Sequence, residues 1–500
     1  MNSNQVNEVG QRSRSGFLWL LLGTMGQNLL QVISILVLAR ILSPKDFGVV
    51  SIGVSIIAFL RIFSEVGVGP ALIQKERLEP SDIKTAVTLS LVLGLGLAII
   101  LYVSSDAIAS FFDAGGLDSV LKSLAFMLPF VGYSVVGQSL LQRNFEFKKL
   151  SLVTFISYFF AYGVVSIGMA IEGFGVWALV GAYWVQTILF TCLLFSVCRE
   201  GHVIGFDRAR AWDMMEYGVG YSLARLCNYA AGQGDNLVIG KILGVDAVGL
   251  YGRAYQIMSM PAILFGSVID KVFFPVMANM RGDTGRLTHF YLSSLYFSLL
   301  MFVIFGGYIY VFAREIVLAL FGSGWGEVVA LIQIMSAGLY FRIGYKFSDC
   351  LTTALGKVYM RAGVQFIYAV AVIAFVLIGS LWGLAGAAIG VVMAVLLNYI
   401  MMTLLVWQIL QFDLMGLLLR HLKIGFLFTV CFSVFSFLNR QIAFENAVLE
   451  FIASSILYFS VPVVLIAVCH RAFKDELAVV SFILFRRINV QPIKSKSGVQ

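Results

Sequence analysis

The chain has 500 residues, of which 60% are hydrophobic types and only 12% charged, and its mean hydropathy is +0.91. A water-facing surface takes about 25% charged residues, whereas at roughly 20 apolar residues per bilayer crossing this composition fills a dozen or more helices. An all-α polytopic membrane protein is expected; a soluble enzyme, a secreted disulfide scaffold and a disordered tail protein are excluded. The net charge of +8 is scattered over short loops and forms no dense patch, so no nucleic-acid partner is expected. Six cysteines lie in or beside apolar runs without a CxxC or CxxxC pair, and the four histidines lack HxxxH or HxH spacing. Neither set indicates a metal or redox centre, and the histidines are assigned no role.

Arg12 and Arg14 precede an apolar run over roughly 17–39. That run is longer than the 7–15 residues or so of a signal-peptide core and no A-x-A site follows, so it reads as a retained first span. A window of about 20 residues marks about fourteen spans in all. Six fall over 17–39, 49–73, 84–103, 120–141, 151–171 and 176–197, and a polar break follows at 199–212. Six more fall over 217–240, 248–276, 290–312, 326–349, 362–382 and 384–409, with a trailing pair over 420–438 and 449–469. The loop over 104–119 carries three aspartates and no base. The tail from Lys474 to Arg487 fits either an amphipathic helix on the inner surface or a frayed end.

With both termini in the cytoplasm, twenty-four of the 35 lysines and arginines fall in cytoplasmic segments. The opposite side receives only Arg40, Lys45, Lys122, Lys241, Arg314 and Arg440, the asymmetry that sets orientation in membranes. The chain also repeats. Leu36–Gly48 aligns without a gap on Leu237–Gly249, with Leu, Val, Ile, Leu and the turn glycine identical and Arg40 facing Lys241. An even number of spans separates the copies, so both halves enter the membrane in the same direction. Parallel repeats of this kind form two lobes with a substrate path between them. The expected organisation is an N-terminal lobe of six helices over 1–200, a C-terminal lobe of six over 213–410, spans thirteen and fourteen over 411–470, and a basic cytoplasmic tail over 471–500.

Ionisable groups at bilayer depth cost at least about 2.5–3.5 kcal/mol each. In span two, Arg61 lies near mid-membrane with Glu65 one turn on, on the same helical face. The pair reads either as self-neutralised or as an arginine that faces a wet cavity and meets an anion while Glu65 holds it. Gln27 and Gln31 place amides one turn apart in span one, where they serve either a cavity or helix–helix adhesion. Span seven carries Arg225, Asn228 and Asp235, and span eight begins with Arg253. If these faces converge, they form a polar, slightly cationic cavity, and phosphate is the natural guest for arginine's fork of donors. Gly386 and Gly390, at GxxxG spacing, read as helix packing. No GxxxxGK[ST] nucleotide loop is present, so transport would draw on an ion gradient or the membrane potential. No GxSxG or HExxH motif and no long outer loop provides for catalysis, so the chain is not expected to be an enzyme.

Several runs, in this order and spacing, are similar to a known family. They are Leu38–Gly48 (LARILSPKDFG), Phe63–Gln74 (FSEVGVGPALIQ), Leu141–Lys148 (LQRNFEFK), Asp235–Gly244 (DNLVIGKILG), Val272–Met277 (VFFPVM) and Phe321–Trp325 (FGSGW). Together they resemble the bacterial polysaccharide repeat-unit flippases (Wzx type) of the multidrug/oligosaccharidyl-lipid/polysaccharide exporter superfamily. The resemblance implies fourteen helices in two six-helix lobes plus a trailing pair. It also implies export of undecaprenyl-diphosphate-linked oligosaccharide across the inner membrane by alternating access, with membrane lipid, polymerase and chain-length machinery as partners. Cavity arginines are a feature of these flippases, a role transferred to Arg61, Arg225 and Arg253 by their depth alone. On the combined reading, Gln27, Gln31, Arg61, Glu65, Arg225, Asn228 and Arg253 bind substrate, and Asp235 takes a coupling proton or sodium ion; no other cofactor is expected. The alternatives are a lipid II flippase or a drug exporter of the same superfamily, and a membrane polysaccharide polymerase or ligase.

Overall fold

The computed structural model describes residues 23, 26–65, 68–75, 77–198, 204–441 and 447–468, and all of its regular structure is helical. The first half holds α1 (Gly26–Ile41), α2 (Pro44–Glu65), α3 (Val68–Gln74), α4 (Pro80–Phe112), α5 (Leu117–Ala125), α6 (Leu128–Arg143), α7 (Phe147–Ile171) and α8 (Val176–Val197). The second holds α9 (Arg208–Ile242), α10 (Val245–Asn279), α11 (Thr284–Val311), α12 (Ala313–Leu320), α13 (Val328–Ala354), α14 (Val358–Ser380), α15 (Gly383–Leu410), α16 (Leu414–Asn439) and α17 (Ala447–Val468).

Each of the expected spans is largely helical over its described part, although a turn at Phe126 and Met127 interrupts the span over 120–141. Length and apolarity nevertheless identify ten crossings, or eleven if α5 and α6, bent by 43° at their junction, form one broken span. The fourteen expected from hydropathy therefore exceed what the described helices establish by these measures. α1 and the apolar part of α17 are short, and α9 carries Arg225, Gln233, Asp235 and Asn236 along its length. These facts make the chain a multi-span membrane protein.

Local sequence sets the helix ends. Pro80 opens α4 behind a capping box in which Glu79 and Asp82 each accept a backbone N–H from the other, leaving fewer orphan donors at the terminus. Asp207 caps α9 by accepting the N–H groups of Ala209 and Arg210, and Asp413 caps α16 through Met415. α4 continues past the expected span end to Phe112, so most of the polar stretch after Val103 is helix rather than loop. There Asp106 pairs with Lys122 of α5 at 2.7 Å. Within α7, residues Phe159–Ser166 form a π-helical segment, and Pro261 sits inside α10.

The chain divides into two compact units. The first comprises Met1–Met260, Val311–Gly338 and Ala362–Asn398. One of its cores gathers Val68, Leu72, Ala86, Val87, Val136, Leu140 and Met214 from α3, α4, α6 and α9, and another joins Leu141, Leu150, Val153 and Leu194 of α6, α7 and α8. α14 and α15 lie backbone to backbone: a methyl on Gly386 would meet the carbonyl of Gly379, and one on Gly390 that of Phe375. That is the close approach the GxxxG spacing implies.

The second unit comprises Pro261–Tyr310, Leu339–Arg361 and Tyr399–Gln500. Leu300, Leu427, Cys431 and Val461 form its apolar cluster from α11, α16 and α17.

Candidate functional site

The centre of the site is a carboxylate shared by two arginines. Arg61 Nε donates to Glu65 Oε1 at 2.5 Å, one helical turn along α2, and Arg225 of α9 donates through Nη1 to Glu65 Oε2. Glu65 is thus held at both oxygens. Its side chain is 10% exposed, against 44% for Arg61 and 37% for Arg225. The carboxylate is enclosed while both arginine side chains keep exposed surface, and these three groups together carry one net positive charge.

Beside this group, α2 and α9 are stitched by polar contacts. Tyr229 donates to the Ser55 carbonyl at 2.6 Å, Ser55 Oγ to Gln233 Oε1 at 3.3 Å, and Asn236 Nδ2 to the same Gln233 oxygen at 2.8 Å. Asp235 is buried and accepts from the Tyr251 hydroxyl at 2.5 Å and from the Asn236 backbone N–H at 2.8 Å.

Arg253, also expected at the site, has other neighbours. Its guanidinium lies 4.4 Å over the Phe47 ring and its Nη1 donates to Gln256 Oε1 at 2.8 Å. Gln27 and Gln31 lie partly buried on α1, and among the described residues no hydrogen bond joins them to the Glu65 group. The Asn228 side chain lies outside the described residues. The structure therefore brings Arg61, Glu65 and Arg225 together, with Asp235 in the adjoining network, and leaves Arg253 and the α1 amides apart.

Sequence reasoning passed over three features. Tyr158, Tyr162 and Tyr183 form a connected aromatic group, with ring centroids 4.5 and 6.0 Å apart along the chain of contacts. In the second unit, Lys346 lies 3.1 Å from Asp270 and 3.6 Å from Asp349, and Arg361 also pairs with Asp349. The i,i+3 spacing of Lys346 and Asp349 carried that signal. His421, which spacing alone gave no role, joins the Tyr340 and Tyr399 hydroxyls at 2.5 and 2.8 Å; no sequence pattern announces such a bridge among α13, α15 and α16.

Residues 37–330 match the polysaccharide biosynthesis protein family. The chain belongs to that family. Among similar members, the succinoglycan biosynthesis transport protein ExoT of Rhizobium meliloti (strain 1021) is 26% identical over 320 residues, 64% of this chain and 64% of ExoT, just under two thirds of the relative's length. The teichuronic acid biosynthesis protein TuaB of Bacillus subtilis (strain 168) is 25% identical over 75% of this chain and 78% of its own. The lipopolysaccharide biosynthesis protein WzxC of Escherichia coli (strain K12) is 24% identical over 78% and 80%. Among solved structures, the lipid II flippase MurJ in an inward closed conformation superposes with a TM-score of 0.74 at 15% identity, covering 91% of this chain and 99% of MurJ. An inward-facing multidrug resistance MATE family transporter gives 0.59 at 16% identity, over 80% and 94%. At such identities the likeness is one of fold, and that fold is the one expected from the sequence. Among the runs that resemble the family, FGSGW ties two segments together, since Trp325 is buried and donates its indole N–H to the Ala39 carbonyl at 2.7 Å.

Proposed function

We propose that this polysaccharide biosynthesis family member moves a lipid-linked oligosaccharide repeat unit across the bacterial inner membrane by alternating access, and performs no chemistry on it. The observation that carries the reading is the Glu65 carboxylate gripped by Arg61 and Arg225. A cationic trio whose arginine side chains keep exposed surface in an apolar bundle suits the diphosphate that links an oligosaccharide to its polyprenyl carrier. The roles named for the relatives, in making succinoglycan, teichuronic acid and lipopolysaccharide, support the same cargo class. The headgroup would enter from the cytoplasm between two six-helix lobes while the lipid tail stays in the bilayer, with both termini cytoplasmic and the polymerase and chain-length machinery receiving the product. Asp235, screened by Tyr251, would take the coupling proton or sodium ion.

Deletion of the gene in its host, with surface polymer and inner-leaflet lipid-linked units assayed together, tests the function. Lost polymer with intact units stranded on the inner leaflet is the expected result. Lost polymer with single units displayed outside would point to a polymerase or ligase, and normal polymer with altered drug tolerance to a drug exporter. At the residue level, a stable Arg61→Ala protein that restores full export would refute the diphosphate role. Export indifferent to separate collapse of the proton and sodium gradients would remove the role given to Asp235.

A further inference from the structure

The run LQRNFEFK (Leu141–Lys148) takes no part in the Glu65 group. It makes the turn from α6 into α7. The Phe145 N–H meets the Gln142 carbonyl at 3.1 Å and the Glu146 N–H meets the Leu141 carbonyl at 2.9 Å, the double closure that commonly ends a helix on glycine. Here Phe145 fills the left-handed position, with a φ of 58°. A side chain is strained there and glycine is not. Packing offsets little of that strain, since Phe145 is 49% exposed and meets Phe147 edge-on with ring centroids 6.0 Å apart.

The turn is also basic. Residues 143–149 carry Arg143, Lys148 and Lys149 against Glu146 alone. Both lysines are exposed, and Lys149 pairs with Glu146 at 2.9 Å. Arg143 turns inward and donates to the Leu72 and Ile73 carbonyls at the end of α3, at 2.6 and 3.1 Å. A second connection is tied to the same region. Arg210 holds Glu79 and Asp82 in the turn after α3, and beside it Phe206 and Trp212 stand 63% and 70% exposed. Phe145, Phe206 and Trp212 all lie outside the expected spans, on the side that the lysine and arginine asymmetry assigns to the cytoplasm. Rings of this size are costly in water. At the headgroup level of a bilayer they settle against the acyl chains, while lysines beside them meet anionic headgroups.

We propose that Phe145, Lys148 and Lys149, with Phe206 and Trp212 on the second connection, form a docking surface for anionic phospholipids of the inner leaflet. The rings enter the interface and the two lysines take headgroup phosphates. Arg143 ties this surface to α3, so bound lipid steadies the cytoplasmic end of the first unit. The surface is independent of the cargo and of the Glu65 group.

The test uses the purified full-length protein in one detergent, with thermal unfolding followed as dioleoylphosphatidylglycerol or dioleoylphosphatidylcholine is added. The anionic lipid is expected to raise Tm roughly twice as far as the zwitterionic one. Phe145→Gly suits the left-handed backbone, so without lipid its Tm should equal or exceed that of the parent. With lipid it should lose about half of the anionic excess. These opposite movements separate docking from a structural role of the ring. A Lys148→Gln, Lys149→Gln variant should lose a similar share and respond to phosphatidylcholine as the parent does. Arg281→Gln, Arg286→Gln, which removes two exposed bases at the turn into α11, should keep the excess. Equal shifts with both lipids, an excess that survives in the α6–α7 turn variants, or one lost as fully in the Arg281, Arg286 variant overturns the proposal. So does a host in which Phe145→Gly halts polymer export while its lipid response is intact, because that face then takes a protein partner.

Discussion

Gly48 of α2 and Gly249 of α10 each lie against the start of the other's helix. A methyl on Gly48 would strike the Val245 carbonyl, and one on Gly249 would strike the Pro44 carbonyl and come within 3.2 Å of the Gly48 nitrogen. The same offset that aligns the sequence repeat exchanges Gly48 with Gly249 and Pro44 with Val245. The contact is therefore reciprocal, as across a two-fold axis, which is the relation parallel repeats require. Neither backbone can yield cheaply, so Gly48→Ala and Gly249→Ala should each cost about 1–3 kcal/mol, the usual range for overpacking. Gly96, in α4, faces open space, and Gly96→Ala should gain about 0.5–1 kcal/mol from the helix preference for alanine. Thermal unfolding in one detergent checks all three; a Gly48→Ala protein as stable as Gly96→Ala would show that the crossing is not tight.

The basic residues at the ends of the two repeats behave alike. Arg40 donates to the Ala319 carbonyl in the last turn of α12 at 2.5 Å, and Lys241 to the Phe111 carbonyl in the last turn of α4 at 2.6 Å. Each sits where a helix presents unpaired carbonyls and the negative end of its dipole. Both latches are exposed, so each should contribute about 0.5–1 kcal/mol. Together they would bias a two-state equilibrium about five- to thirtyfold toward the latched form. In an Arg40→Ala, Lys241→Ala double variant, a cysteine placed at buried Ser55 should react faster with a thiol reagent supplied from the side of Arg40. Unchanged labelling would mean that the two latches do not restrict access to position 55.

How much of this was legible follows from the range of each interaction. Arg61 with Glu65 was readable because four residues make one helical turn, and Gly386 with Gly390 because a small-residue stripe marks close packing. The alignment of Gly48 with Gly249 was readable because the repeat aligned without a gap, but their mutual contact was not. Arg225 reaching Glu65 was not, since the two are 160 residues apart and only the packing of α9 on α2 joins them. Tyr158, Tyr162 and Tyr183 read as ordinary aromatics of apolar spans, and no local pattern announces a π-helical turn. The end of α4 lies beyond the expected boundary because a window of hydropathy stops at Ser104 and Asp106, whereas the helix continues until Asp113 turns it with a φ of 49°.

Glu65 restrains two cations, so its removal should act in the opposite sense to theirs. Glu65→Gln keeps the shape and withdraws the negative charge that opposes an anionic ligand at Arg61 and Arg225. Their exposure limits the effect to about 1–2 kcal/mol. Diphosphate should bind roughly five- to thirtyfold more tightly in Glu65→Gln and correspondingly more weakly in Arg225→Gln, while export falls in both because release slows in one and capture in the other. Weaker diphosphate binding in Glu65→Gln would mean that Glu65 organises the arginines rather than competing with the ligand.

The N-terminus of α9 gives a dependence on pH. Arg210 donates to Asp82 Oδ1 at 2.7 Å, to Glu79 Oε2 at 2.6 Å and to Asp207 Oδ2 at 3.2 Å. The backbone N–H of Arg210 above all, with that of Ala209 and the Arg210 guanidinium, holds the Asp207 carboxyl below its ordinary range against the opposing effect of burial. A carboxyl whose pKa is depressed on folding stabilises the fold fully above its unfolded value, about 3.9, and loses that contribution as pH falls through the folded value. Asp207→Asn retains the helix cap, because asparagine caps nearly as well as aspartate, and removes only the charge. Its Tm should lie below that of the parent near pH 7, and the two should converge as the pH drops below about 4. A gap that stays constant through the range below pH 4 would assign the loss to capping geometry instead of the ion pair with Arg210.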